Sequence, residues 1–298
     1  VFDDCTSLTY VKLPSQMESI PSSTFQGCTS LKSFEMPTGV KAIGYSAFQS
    51  SGLEVIHFPD AVTVIESQVC KNCYSLKEVR FPASLKTFEM QAFSFSDNIE
   101  RFIMADGTVC TDEIIIPEGV TSMEDLVFYF RNPNFKSMRI PSTLTSIVDG
   151  GLSCPNLERY VMTNPNSKYD IRNNSLIETA TNRLIAGAIL SSKIHESVTT
   201  IGKEAFYESC IASVDLHAGI TTIEDYAFDY SDITQIICRA TTPPTLGESP
   251  FRLTNYSGRM KVPEESISLY RSSWFLTDVG YLGWTNYRWG LVALAEGE

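Results

Sequence analysis

Residues 28–48 read Cys28-Thr-Ser-Leu31-Lys-Ser-Phe34-Glu-Met36-Pro37-Thr-Gly-Val40-Lys-Ala-Ile43-Gly-Tyr-Ser-Ala-Phe48. The stretch sets a template. It has apolar-x-x-apolar-x-apolar-Pro from Leu31 to Pro37, an apolar pair three and six residues past the proline, and a large apolar residue eleven past it. The template recurs along the chain. Pro14, Pro37, Pro59 and Pro82 are 23, 22 and 23 residues apart, and Pro117 and Pro141 are 24 apart. Eleven residues beyond them stand Phe25, Phe48, Cys70, Phe93, Phe128 and Leu152. Where proline is lost the register survives: His195 and His217 hold its slot, with Phe206 and Phe228 eleven residues on, and Arg239 follows 22 residues after His217.

The last two apolar residues of each triplet, such as Val11 and Leu13, Phe34 and Met36, Val79 and Phe81, alternate with one polar position. That is strand periodicity. Proline is tolerated at the strand end because it no longer needs to donate to a ladder. The second pair, such as Val62 and Ile65 or Ile220 and Ile223, adds another short extended segment. Each unit thus supplies about six inward side chains that it cannot bury alone, and stacking rungs about 4.8 Å apart buries them. The expected fold is a mostly-β repeat solenoid over residues 1–239, with about nine rungs of 22–24 residues and a length of roughly 45 Å.

Two segments break the period. Residues 105–116 add about a dozen positions between Pro82 and Pro117. Residues 164–190 add more, and there Ser175-Leu176-Ile177 and Arg183-Leu184-Ile185-Ala186 flank Thr181-Asn182, the pattern of a β-hairpin with a polar turn. Past Arg239 the pattern dissolves into Thr241-Thr-Pro-Pro-Thr-Leu246. Residues 240–298, which hold Trp274, Trp284 and Trp289, are expected to be a repeat remnant and cap. The opening Val1-Phe-Asp-Asp-Cys5 reads as the tail of a repeat. A fragment of a longer protein is therefore expected, with any export signal upstream.

These units resemble the BspA-like leucine-rich-repeat surface proteins of bacteria. The likeness rests on residues 28–48, on the insertion ending Arg183-Leu-Ile-Ala186, and on Ala240-Thr-Thr-Pro-Pro-Thr-Leu246 followed by Lys261-Val-Pro-Glu-Glu265 and Leu269-Tyr270. It covers essentially the whole chain. The resemblance implies a leucine-rich-repeat right-handed superhelix, export to the cell surface or beyond, and adhesion to host matrix proteins or other cells. The shortened turns before Leu53, Ile211 and Ile233 depart from the family pattern, as do the lost proline near Asp106 and the extra dozen residues after Ala105.

Composition narrows function by exclusion. The 23 basic and 35 acidic residues leave a net charge of −12, which disfavours a nucleic-acid surface or docking on anionic lipid. No run approaches the 18 or more apolar residues of a membrane span. Eight cysteines invite a metal or disulfide reading, but the register absorbs most of them. Cys5, Cys28, Cys73 and Cys154 lie three residues before a first strand residue, in a slot that elsewhere falls on Ser50, Ser96 and Asn132. Cys70 takes the place of the repeating phenylalanine, so Cys70-x-x-Cys73 arises from two repeat positions. Buried structural thiols are expected, with Cys5 and Cys28 near enough in register to approach disulfide distance. His195 and His217 share a slot on adjacent rungs, but no third ligand joins them at metal spacing. Gly44-Tyr-Ser46-Ala-Phe48 lacks the second glycine of a nucleophile elbow and recurs as Glu204-Ala-Phe206. No catalytic group, metal or cofactor is expected.

The outward strand positions carry the one functional signal. They include Tyr10, Lys12, Lys32, Glu35, His57, Lys77, Glu78, Arg80, Arg101, Arg139 and Arg159. Basic residues gather on this face although the chain is acidic, and solenoids commonly bind partners on such a surface. The expectation is a monomeric, non-catalytic binding module. Its partner would be an extracellular protein or glycan, held on this face or on the 164–190 insertion. The competing expectation is a rigid spacer whose interleaved charges only solvate the sheet.

Overall fold

A typical repeat folds as one turn with three sides: the strand that runs into the proline slot, a short strand at the second apolar pair, and a corner around the large apolar residue. The computed structural model describes residues 1–251, 258–274 and 290–295. Trp284 and Trp289 lie outside the described residues. The chain divides into two units, Val1–Cys154 with Val161–Ser167, and Pro155–Tyr160 with the residues from Lys168 onward.

In the first unit the corners stack by main-chain bonds from one repeat to the next. Phe25 N donates to Ala47 O at 2.8 Å, Phe48 N to Val69 O at 3.0 Å and Cys70 N to Ala92 O at 2.8 Å. The Phe25 and Phe48 rings stack at 5.5 Å, and Phe93 on Phe128 at 5.9 Å. A price in backbone strain recurs at every corner. Two residues before the large apolar residue stand Ser23, Ser46, Gln68, Gln91 and Leu126, each at φ between 52° and 59°. A left-handed backbone costs a side-chain-bearing residue about 1 kcal/mol or more. It persists because it aims the flanking amides at the next rung.

At the shortened turn before Leu53 the small-residue slot follows the corner rather than the strand. Ser51, not Ser50, fills it: Ser51 is buried, three residues past Phe48, and contacts Cys73 Sγ at 3.6 Å. The shortened turn before Leu53 explains the shift. Gly52 closes that turn so tightly that a Cβ there would fall 2.0 Å from Thr29 O. Cys28 Sγ donates to Phe2 O and Cys73 Sγ to Phe48 O, both at 3.0 Å. Thiols and hydroxyls thus serve the same bridging purpose. Among the described residues the cysteines form no disulfide; Cys28 is buried and Cys5 exposed.

The strands before the proline slot form a parallel row. Val55–His57, Glu78–Arg80 and Arg101–Ile103 align with Ile56, Val79 and Phe102 opposite one another. Insertion 105–116 enters here. Val109–Cys110 returns antiparallel on Arg101–Ile103, and Glu113–Ile115 then pairs in parallel with Ser137–Ile140. The other strand row passes over the insertion, from Thr87–Phe88 straight to Ser122–Met123. At Val11–Leu13 and Phe34–Met36 the expected strands do not form. Val11, Leu13, Phe34 and Met36 are only partly buried, so little apolar burial holds these segments to a neighbour. Among the described residues the main-chain bond that links Lys32–Met36 to the Val55 strand region is Glu54 N to Lys32 O, 3.0 Å.

The second unit keeps the three-sided repeat. Its insertion is the expected hairpin, Ser175–Glu178 against Arg183–Ala186, with a third strand, Tyr169–Arg172, that the spacing did not announce. Asn173 and Asn174 connect that strand at φ of 48° and 61°, the two-residue geometry that Asn favours in hairpins. Arg183–Ala186 then starts a parallel row through Thr200–Ile201, Thr222–Ile223 and Thr245–Leu246. The strand row runs past Arg239. Gln235–Cys238 pairs with Arg259–Val262, which pairs with Gly290–Ala293. Helix Ile267–Trp274 buries Tyr270 and Trp274 against this core. Tyr270 Oη donates to Ala240 O at 2.7 Å and Trp274 Nε1 to Pro244 O at 2.9 Å. Among the described residues no helix is long and apolar enough to cross a membrane.

Candidate binding face

The strand row of the first unit divides in two. Glu78 sits centrally, and although its register is outward it is only 8% exposed. His57 Nε2 lies 2.7 Å from Glu78 Oε1, and Arg101 Nε donates to Glu78 Oε2 at 2.6 Å. Burial alone would raise the Glu78 carboxyl, but the hydrogen bonds from His57 and Arg101 and the Arg101 charge outweigh it and hold it below the usual glutamate value. Around this centre Lys77 pairs with Glu54 at 3.5 Å and Arg80 with Asp60 at 3.6 Å. Arg139 pairs with Glu113, a strand residue of the insertion. His57, Glu78, Arg101 and Arg139 therefore form cross-strand pairs, the contacts that fix a sheet's register, and Lys77 and Arg80 pair with the neighbouring repeat beside the strands.

Tyr10, Lys12, Lys32 and Glu35 behave differently. All four are exposed, Tyr10 at 71%. Among the described residues Lys12, Lys32 and Glu35 make no ion pair or side-chain hydrogen bond. The two segments that carry them stand apart. A cavity of about 290 Å³ opens between Tyr10–Leu13 and Ser33–Thr38, and one of about 300 Å³ opens between Met36 and the His57–Ala61 stretch. Arg159 is exposed and belongs to the second unit. Glu113 and Asp60 were missed as partners. The repeat spacing did not flag them: Glu113 falls in the insertion that breaks the period, and it bonds Arg139 diagonally, two residues from its register partner Ser137.

The residues weighed as metal ligands or nucleophiles hold structural posts. His195 Nδ1 accepts from Ser197 N at 3.1 Å and His217 Nδ1 from Gly219 N at 3.0 Å. Each histidine thus caps the turn that proline opens elsewhere. Ser46 Oγ donates to Gln49 Oε1 at 2.7 Å, inside a corner. Burial pushes the Cys70 thiol up. Among the described residues no group of three or more His, Cys, Asp or Glu is placed to hold a metal ion.

The model of the BspA type leucine rich repeat region, in six copies, matches residues 1–110, 106–188 and 186–277. A leucine-rich repeat protein from Eubacterium ventriosum has a similar fold, with a TM-score of 0.54 at 17% identity, over 71% of this chain and 60% of that one. A leucine rich cell surface protein from Faecalibacterium prausnitzii superposes with a TM-score of 0.50 at 18% identity, over 99% of this chain and 75% of its own. At these identities the likeness shows the fold. No curated protein matches the chain.

Proposed function

This chain belongs to the BspA type leucine rich repeat family, and from that premise we propose that it is a non-catalytic binding module, displayed on or secreted from a bacterial cell, that holds an extracellular protein. The observation that carries the reading is the pair of segments without a ladder, Tyr10–Leu13 and Lys32–Met36. There Tyr10, Lys12, Lys32 and Glu35 offer unpaired charge and an exposed ring on segments whose edges are not closed by a ladder. An exposed tyrosine beside charges that have no partner to lose suits a polar protein interface. The surface location is supported by the F. prausnitzii protein of this fold, which is described as a leucine rich cell surface protein. Adhesion to host matrix or to other cells is the role that fits such display. In this reading residues 240–298 cap the second unit, with Tyr270 and Trp274 as the apolar plug.

The paired stretch from His57 to Arg139 favours a second reading, a rigid spacer, because charges that satisfy one another leave little for a partner. Capture from a panel of matrix proteins and cell-surface proteins separates the two. A binder loses a saturable hit in the double variant Lys12→Glu/Lys32→Glu while its thermal unfolding is unchanged. A spacer gives no hit that the variant alters.

A further inference from the structure

The insertion makes the three sides of the first unit unequal. Between Arg101–Ile103 and Ser137–Ile140 the strand row holds Val109–Cys110 and Glu113–Ile115. The other strand row and the corners pass from one repeat to the next without them. Two extra strands widen that side by about 9–10 Å. The repeats that meet at the corner must therefore diverge as they approach the strand row. Where they part lies a cleft of about 540 Å³, lined by Tyr74, Lys77, Asp97, Asn98, Glu100 and Asn134 among others.

Its walls are pinned from both repeats. Arg131 N donates to Asp97 Oδ1 at 2.8 Å and Asn132 Nδ2 to Ile99 O at 2.6 Å. Asn98 Nδ2 donates to Tyr74 O at 2.6 Å, which fixes the loop that carries the ring. Other groups stay uncommitted. Tyr74 is 60% exposed, and among the described residues the Glu100 carboxylate and the Asn134 amide make no side-chain hydrogen bond. The volume falls within the range of small-ligand sites.

We propose that this wedge-shaped cleft binds a neutral saccharide. The chemistry selects against the other classes. Glu54, Asp97 and Glu100 outnumber Lys77, which already pairs with Glu54, so phosphate, sulfate or carboxylate groups meet repulsion. One tyrosine ring in a polar setting offers too little apolar surface for a hydrophobic ligand. A sugar uses what is present: vicinal hydroxyls donate to carboxylates and accept from an amide, and the C–H face of the ring lies on the tyrosine. The proposal rests on the reading of the chain as a binding module and gives that module a second site, built on Tyr74, Glu100 and Asn134 rather than on Lys12 and Lys32.

The test is an array of neutral gluco-, galacto- and manno-oligosaccharides probed with the 298-residue chain, followed by calorimetric titration of the hits at about 0.1 M and about 0.5 M salt. Saturable binding should weaken by about tenfold or more in Tyr74→Ala and in Asn134→Ala, with unchanged unfolding midpoints and less than about a twofold change with salt. Silence across the array overturns the proposal. So does binding indifferent to both substitutions, or a preference for sulfated glycans or lysine-rich peptides that fades with salt. Both substitutions lie outside Tyr10–Met36, so protein capture by Tyr74→Ala shows whether the broader binding reading survives a failure here.

Discussion

From Val55 to Ile103 three strands stand in register, and their outward charges close on one another around Glu78. From Tyr10 to Met36 the same apolar-x-apolar-Pro pattern yields two segments with no ladder between them and with Lys12 and Glu35 unpaired. Both regions obey the repeat, yet only one is a sheet. The difference teaches that the pattern decides which side chains turn inward, whereas strand formation needs burial beneath the row and complementary charge across it. Leu76, Val79 and Phe81 are fully buried, while Leu8, Val11 and Leu13 are only partly so.

Truncating the core on each side should expose that contrast most. Leu76→Ala is expected to cost about 2–5 kcal/mol in chemical denaturation, whereas Leu8→Ala should cost under about 1 kcal/mol; equal losses would erase the distinction. Gly52→Ala comes next. Its Cβ would collide with Thr29 O, a backbone atom that cannot swing aside, so a loss of about 1–3 kcal/mol is expected. That substitution acts on the joint between the two regions. A smaller effect belongs to Glu78. Its carboxyl titrates below the ordinary value of 4.5, so folding gains from its charge above that pH and loses the gain as pH falls through the lower, folded value. Glu78→Gln should destabilise the chain by about 1 kcal/mol at neutral pH. The gap from wild type should narrow on acidification, as unfolding midpoints across pH would show; a gap that widens contradicts the assigned hydrogen bonds.

Much of this was legible beforehand because it depends on spacing. Leu31, Leu53 and Leu76 are buried where the repeat puts them, and Ser175–Ala186 folds as the hairpin that Thr181-Asn182 announces. Other features carry no local signal. The left-handed corners fall on Ser46, Gln68, Gln91 and Leu126, residue types that do not advertise such a backbone; the ladder imposes it. The return of Val109–Cys110 onto Arg101–Ile103 does have a local signal, the Asp106-Gly107 dipeptide of a hairpin turn, with Gly107 at φ 88°. In the candidate face, the outward register of Glu78 was readable, but its burial depends on His57 and Arg101 from neighbouring rungs. The division between paired and open charges was hidden for the same reason. Lys12 and Glu35 hold equivalent positions 23 residues apart and look as well matched on paper as Lys77 and Glu54.

Amide hydrogen exchange, resolved by repeat, tests the division of the strand face most directly. The account predicts that the amides of Val11–Leu13 and Phe34–Met36 exchange about a hundredfold or more faster than those of Ile56–Phe58 and Val79–Phe81. Comparable protection in the two regions would contradict it and would mean that the first two repeats are laddered like the rest.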